Sequence, residues 1–459
     1  MDPMFKGFRY LFLSLFLVLL GLLAKGKEKV SLEPVPYAGY AKSWLENRTG
    51  TYLELEWLAD QNVHITQESV GAVSDYSPSY VLYKKFYPEF DRTVLTLKAL
   101  EIFLRGTYRD YLFFTHKQDP QFRLKYGTFK EIQKFFVSTF EELKKQNCAD
   151  IESLLECYIL FSDLGKTKTA RKLAAVAGVK EGNLDLFFCK VASLCPEMYP
   201  SYKKLSPTSK KIIVQLAKQT HFGHIAHFEG GAELFKELEL SGFLDNPILV
   251  DLAFIGHICD VAGAQGHVDP CTSLNYNEKT HQLLLDVREA CRNIKIHGSL
   301  KAWAIFLQTR AKALELGTEG RMNHVLLRIG SMMRLTTPYE AYLLKKSLFK
   351  LDLQEIENIQ NAFNWENKIC AKYIPAVLLN LFNNPNLGNN LSDRIERTVE
   401  LGLPLIATSI NQQTRSKTRH PTLNFNPVAK VAKENPRALL KEAVRIDQKG
   451  VVRIEEKLI

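Results

Sequence analysis

The sequence predicts an all-α fold, with a small C-terminal β-hairpin as its minor strand content. Apolar residues recur every three or four positions along much of the chain, as Val94, Leu97 and Ile102 do, and this spacing places them on one helical face. Helix starts are also marked, most clearly where the hydroxyl of Ser206 precedes Pro207. Because no repeat of fixed period runs through the chain, we expect a multi-helix globular domain rather than a solenoid.

Composition divides the chain into consecutive segments. They are a signal peptide or membrane anchor (1–25), a linker and irregular N-terminal region (26–90), a helical subdomain (91–204), a helical core with a His/Asp site (205–350), C-terminal helices (351–411) and a basic tail (412–459). In the tail, two short β-branched runs flank a turn that contains Gly450, which predicts the hairpin. The fold therefore follows an N-terminal hydrophobic segment.

That hydrophobic segment is typical of a chain that enters a membrane. Tyr10–Leu23 is a nearly uninterrupted apolar run of about 14 residues, preceded by Lys6 and Arg9. A secretory signal has this length, whereas a spanning helix takes roughly 20 residues. A cut after Ala24 would leave bulky Leu22 where a small residue is needed, so a cleaved signal and a retained anchor both stay open. We predict membrane contact through the N-terminus and a membrane-anchored or exported location, in the secretory pathway or periplasm.

The net charge of +10 is concentrated towards the C-terminus. Such a basic tail can contact anionic lipid headgroups or nucleic acid, or can be an ordinary solvated surface. The chain has no nucleic-acid-binding motif, and no glycine-rich nucleotide loop, HExxH or GxSxG elbow. Its eight cysteines match no zinc ribbon and no CxxC pair. Local disulfides Cys148–Cys157 and Cys189–Cys195 remain an alternative to free thiols.

Histidines concentrate in one stretch of the sequence. Five of the eleven lie between positions 221 and 269, namely His221, His224, His227, His257 and His267. Residues three apart share a helical face, so His224 lies beside His227, and His257 lies beside Asp260. Imidazole and carboxylate groups are the common nitrogen and oxygen ligands of Zn, Mn and Fe. We therefore predict that these four residues of two helices bind a divalent metal.

Such a metal would polarise a phosphoryl oxygen and lower the pKa of a bound water to roughly 7. Acidic and imidazole groups nearby would serve as acid, base or supporting ligands, and we predict these roles for Glu229, His267 and Asp269.

A helix start downstream supplies cationic groups that can bind an anion. Arg321, His324 and Arg328 share one face of that helix. A solvated basic face is the alternative interpretation.

A His-bearing helix followed by an apolar helix that ends in His and Asp resembles the HD-domain metal phosphohydrolases. The resemblance implies an all-helical metal-dependent phosphohydrolase or phosphodiesterase that acts on a phosphorylated small molecule or nucleotide. It implies His224 as the first ligand, Asp260 as the aspartate of the His-Asp doublet and Asp286 as a later aspartate. The sequence departs from the family pattern at Cys259, which stands where the doublet histidine belongs.

Two other functions stay open. The protein could be a non-catalytic exported or membrane-tethered interaction protein in which the histidines form a structural network, or it could hold a haem. The tract of residues 262–266, AGAQG, has almost no side chains. It allows either a ligand or another helix to approach its backbone closely.

Overall fold

The computed structural model describes most of the chain after residue 36. The described residues are 37–59, 75–146, 148, 150–165, 167–176, 178, 184–217, 222–229, 232–364, 370–415, 422–440, 443–448 and 450–455. Residues 1–44 and 45–459 form two separate units. The predicted signal peptide or anchor, 1–25, lies outside the described residues, and none of the described helices is long and apolar enough to cross a membrane.

Helices dominate the described residues, and the all-α prediction is confirmed. The first eleven are α1 (Tyr37–Thr51), α2 (Glu56–Ala59), α3 (Pro78–Tyr83), α4 (Pro88–Arg105), α5 (Tyr108–Thr115), α6 (Tyr126–Lys145), α7 (Ile151–Leu164), α8 (Lys168–Val176), α9 (Leu184–Leu194), α10 (Pro200–Lys203) and α11 (Pro207–Leu216).

The others are α12 (Phe222–Ala226), α13 (Ala232–Leu240), α14 (Pro247–Gly263), α15 (Glu278–His297), α16 (Ser299–Leu314), α17 (Arg321–Met332), α18 (Pro338–Leu348), α19 (Leu353–Phe363), α20 (Ile374–Phe382), α21 (Leu391–Arg415) and α22 (Asn426–Glu434). Short 3₁₀ turns cover Leu53–Leu55, Pro196–Met198, Phe243–Asp245, Pro385–Leu387 and Pro436–Leu440.

Strands are short and lie late in the described chain. β1 (Cys370–Lys372) pairs in parallel with β2 (Thr422–Asn424), with Ala371 opposite Leu423. β3 (Ala443–Ile446) and β4 (Val452–Glu455) form an antiparallel pair. The predicted C-terminal hairpin is therefore confirmed.

The structure has more helix at both ends of the predicted helical region. Residues 37–51 of the region predicted to be irregular form α1, α21 continues past the predicted end of the C-terminal helices at residue 411 to Arg415, and the basic tail contains α22. α21 passes through Pro404 because the apolar residues on both sides of it, such as Leu403 and Ile406, are fully buried. Tertiary burial of this kind outweighs the hydrogen bond that a proline removes. The subdivision of residues 91–411 remains a prediction.

The cysteines of both proposed local bridges are free thiols. Cys148, Cys157 and Cys189 are buried, and Cys195 is partly exposed. Burial raises the pKa of Cys157, so it behaves as a small apolar side chain.

The glycine tract lies where α14 crosses α4. A Cβ on Gly263 would lie 2.2 Å from Oγ1 of Thr96 and 2.7 Å from the carbonyl oxygen of Arg92. A Cβ on Gly266 would lie 2.4 Å from the carbonyl oxygen of Asp91. Of the two interpretations of this tract, the close helix–helix crossing is therefore correct.

Asp91, beside that crossing, makes stability depend on pH. Burial raises its pKa to about 7, although the N–H and hydroxyl of Ser79 both donate hydrogen bonds to its carboxylate. Because the unfolded carboxyl titrates near 3.9, the folded state alone keeps the proton between about pH 4 and pH 7. We expect the free energy of unfolding to fall as pH rises through that window. Urea titrations at pH 4.5 and pH 7 measure this, and Asp91→Asn should flatten the dependence; an unchanged slope in the variant would contradict the assignment.

Candidate anion-binding site

The short helix α12 ends in a tight C-terminal motif. The N–H of Phe228 donates to the carbonyl of Ile225 at 3.1 Å, and the N–H of Glu229 donates to the carbonyl of His224 at 3.0 Å. These two bonds form a Schellman motif, in which the residue at the position of Phe228 adopts a left-handed conformation and is usually glycine. Phe228 has φ 52° there, so a bulky residue occupies a strained backbone position.

Arg328 and an aromatic pocket stabilise that strained segment. The guanidinium of Arg328 donates to the carbonyls of Phe228 and Glu229, both at 3.0 Å, and to that of Asn364 at 3.4 Å. The ring of Phe228 is fully buried, with its centroid 5.0 Å from that of Trp303. Arg328 was predicted to bind an anion; in the structure it is buried and its donors point at protein carbonyls.

Helix α17 ends in the same way. The N–H of Arg334 donates to the carbonyl of Ser331 at 3.0 Å, and that of Leu335 donates to the carbonyl of Gly330 at 2.8 Å. Arg334 has φ 57°, again where glycine is usual. The two motifs meet directly, because Nδ1 of His227 lies 3.0 Å from the carbonyl oxygen of Ser331.

Arg334 is a cation without a counter-charge among the described residues. Its side chain forms no hydrogen bond or ion pair with any of them, and its Nε is a buried atom with no partner there. Burial lowers its pKa to about 10, so the guanidinium stays charged at pH 7. The buried Arg310 is different: it donates to the carbonyl of Leu335 at 2.9 Å and lies 3.7 Å from Asp286. An uncompensated buried charge is costly unless a ligand pairs with it.

Two histidines complete the group. Burial first, and then the positive charge of Arg334, lower the pKa of His227 to about 3, so its imidazole is neutral at pH 7. Since a carbonyl only accepts, Nδ1 carries the proton and Nε2 is left as an acceptor. His257 also lowers the pKa of His227 electrostatically, and its Cε1 would lie 3.5 Å from a Cβ on Gly223. We call His227, His257, Arg310 and Arg334 the cationic cluster; all but Arg310 are partly exposed.

The four predicted metal ligands separate into different contacts. His224 pairs through Nδ1 with the carboxylate of Glu229, and Asp260 pairs with Arg92 of α4 at 2.5 Å. Of the four, His227 and His257 are near enough for the charge of His257 to lower the pKa of His227. Within the part of the chain that the structure describes, no group of three or more His, Cys, Asp and Glu side chains is arranged to hold a metal ion. Metal binding stays a prediction.

The other two predicted acid–base residues, His267 and Asp269, interact with groups outside the cationic cluster. Burial lowers the pKa of His267 to about 4, helped by the positive charges of Lys433 and Arg92. Asp269 is fully buried and organises a turn: its carboxylate accepts the N–H groups of Cys271 and Thr272 at 2.9 and 2.8 Å.

The other two predicted anion-binding residues, Arg321 and His324, do not share the surroundings of Arg328. Arg321 is exposed at the first position of α17. Nε2 of His324 lies 2.7 Å from the carbonyl oxygen of Thr318. The predicted common face is therefore divided between solvent, a loop and the interior.

Sequence reasoning missed Arg334, Arg310 and Arg92. No motif surrounds them, and their surroundings form only on folding: Arg92, for example, pairs with Asp260, 168 residues along the chain. One signal was available. An arginine within a largely apolar helix is expected to be buried, and a buried arginine usually needs a partner.

Replacing Arg328 by methionine should destabilise the protein. The variant keeps the apolar stem but leaves the carbonyls of Phe228 and Glu229 without their donors, which should reduce the free energy of unfolding by about 3 kcal/mol. Urea denaturation measures the loss. Arg321→Met, at an exposed position of the same helix, is the control and should change stability by less than about 0.5 kcal/mol. Equal effects of both variants would contradict a locking role for Arg328.

Fold and site together define an all-helical protein with a cationic cluster that is partly accessible to solvent. Residues 51–435 match DUF6829, a family of unknown function, and the chain belongs to that family. The matched region contains the whole cluster and ends before the β3–β4 hairpin. No curated protein and no solved structure matches the chain.

Proposed function

We propose that this protein binds a small phosphate-type oxyanion, free or as part of a phosphate ester, at the cationic cluster. The observation that carries the proposal is the partly exposed guanidinium of Arg334, whose buried Nε has no hydrogen-bond partner and which forms no ion pair among the described residues. A guanidinium presents a planar set of donors that matches two oxygens of a phosphate at once.

His227 favours a protonated oxyanion over a fully ionised one. Its Nδ1 is used by the carbonyl of Ser331, so Nε2 presents a lone pair. Hydrogen phosphate, and a phosphate monoester in its singly ionised form, carry an O–H that can donate to this nitrogen, whereas sulfate at pH 7 carries none.

Calorimetry with the full chain in the presence of EDTA tests the proposal. We expect inorganic phosphate to bind. Sulfate should bind about tenfold more weakly, because it has no O–H that can donate a hydrogen bond to Nε2 of His227. At about a hundredfold excess over Kd, phosphate should raise the melting temperature by about 3 °C. Absence of phosphate binding, or equal affinity for sulfate, would contradict the proposed recognition.

Metal-dependent hydrolysis of a phosphate ester, with Zn, Mn or Fe, is the second candidate. One observation favours it: His227 and His257, from two separate elements of the chain, converge. Metal analysis of the purified protein tests this function. Near-stoichiometric metal that disappears in a His257→Ala/Asp260→Ala double variant would support metal-dependent hydrolysis. Purified protein that contains no metal and still binds phosphate in the presence of EDTA would support the anion site alone.

A further inference from the structure

Helix α18 has an exposed face that combines aromatic and basic residues. Tyr339, Tyr342 and Phe349 are 61%, 57% and 57% exposed, and Leu353 beyond the helix is 86% exposed. Positions 339, 342, 346 and 349 follow helical spacing, so their side chains share one side of the helix. Soluble surfaces seldom expose so many large apolar side chains together.

The exposed charged residues of α18 itself are all lysines. Lys345 and Lys346 are exposed and form no ion pair with the described residues, and Lys350 follows, paired with Glu396. The single acidic residue of α18, Glu340, is buried, where it caps the helix start. The outer side of α18 is therefore basic and aromatic, with no carboxylate of its own helix.

We infer that this surface, which we call the tyrosine–lysine face (Tyr339, Tyr342, Lys345, Lys346 and Phe349), docks on an anionic lipid bilayer. Tyrosine is enriched at the boundary between water and bilayer, because its ring is apolar and its hydroxyl is polar. Lysines near a membrane are attracted to anionic headgroups.

Nucleic acid, whose bases stack on open aromatic faces, is the other occupant that the experiment below distinguishes. The inference is independent of the N-terminal hydrophobic segment and of the anion site.

Amide hydrogen exchange of residues 338–353 in the full chain tests the inference. The probes are vesicles of phosphatidylcholine alone and vesicles with about 30 mol % phosphatidylserine. Any attachment through the N-terminal segment occurs with both, so the difference between them reports the tyrosine–lysine face. We expect exchange to be about thirtyfold slower on the anionic vesicles, since two lysines contribute there.

Matched lysine pairs localise the effect. Lys345→Gln/Lys346→Gln should remove the difference between the two vesicles. Lys144→Gln/Lys145→Gln, an exposed lysine pair on α6, should keep the difference. Equal exchange on both vesicles, equal behaviour of both variants, or slowing by polyuridylate instead of anionic vesicles would overturn the inference.

Discussion

Replacing Arg334 by glycine should stabilise the protein and abolish phosphate binding at once. Arg334 has φ 57°, a conformation that costs an ordinary residue about 1 kcal/mol and costs glycine almost nothing. The two hydrogen bonds that close α17 come from backbone N–H groups, so they survive the substitution. The variant also removes a buried charge that has no partner among the described residues, so the melting temperature of ligand-free protein should rise.

Glu315→Gly is the control for backbone strain. Glu315 has φ 50° and ends α16 with the same pair of bonds: its own N–H donates to Lys312, and that of Leu316 donates to Ala311. It is exposed, so its replacement should relieve strain without affecting phosphate affinity. Calorimetry and thermal unfolding measure both properties. A destabilised Arg334→Gly variant would indicate that the guanidinium has a partner within the protein, and undiminished phosphate binding would exclude it from the site.

Gly263→Ala should cause a large loss of stability. The new Cβ would lie 2.2 Å from Oγ1 and 2.6 Å from the backbone nitrogen of Thr96, and 2.7 Å from the carbonyl oxygen of Arg92. Because two of these atoms belong to the α4 backbone, the helices must separate, at a cost of about 3 kcal/mol. Their separation would also weaken the ion pair between Arg92 and Asp260.

Gly127→Ala is the matched control for that helical glycine. Gly127 lies in the first turn of α6, and a Cβ there meets nothing within 4 Å. Alanine should therefore stabilise the helix by about 0.5–1 kcal/mol. Chemical denaturation of both variants measures the contrast, and a Gly263→Ala variant as stable as Gly127→Ala would contradict the close crossing.

Local pattern was sufficient for the helical fold and for the terminal hairpin, because apolar spacing and turn residues act over a few positions. It could not decide what approaches the Gly263 backbone, since a ligand and a helix both require a missing Cβ. It also placed His224 and His227 on one helix face. In the structure α12 ends at Ala226, and the left-handed Phe228, which depends on distant Arg328, redirects the chain.

The candidate site shows the same division between local and long-range information. The histidine concentration indicated the part of the chain that contains half of the candidate site, because His227 and His257 both belong to the cationic cluster. Arg334 carries no local signal, since its exceptional property is the absence of a partner among the described residues after folding. Such a property depends on tertiary packing and cannot be derived from spacing.

A crystal structure of the full chain with arsenate tests the central claim most directly, since arsenate has the shape and protonation of phosphate and is located by its anomalous scattering. We predict one arsenate within hydrogen-bonding distance of the Arg334 guanidinium, with an oxygen next to Nε2 of His227. A guanidinium that is instead hydrogen-bonded to a carboxylate of the protein itself, with no arsenate nearby, would contradict the account.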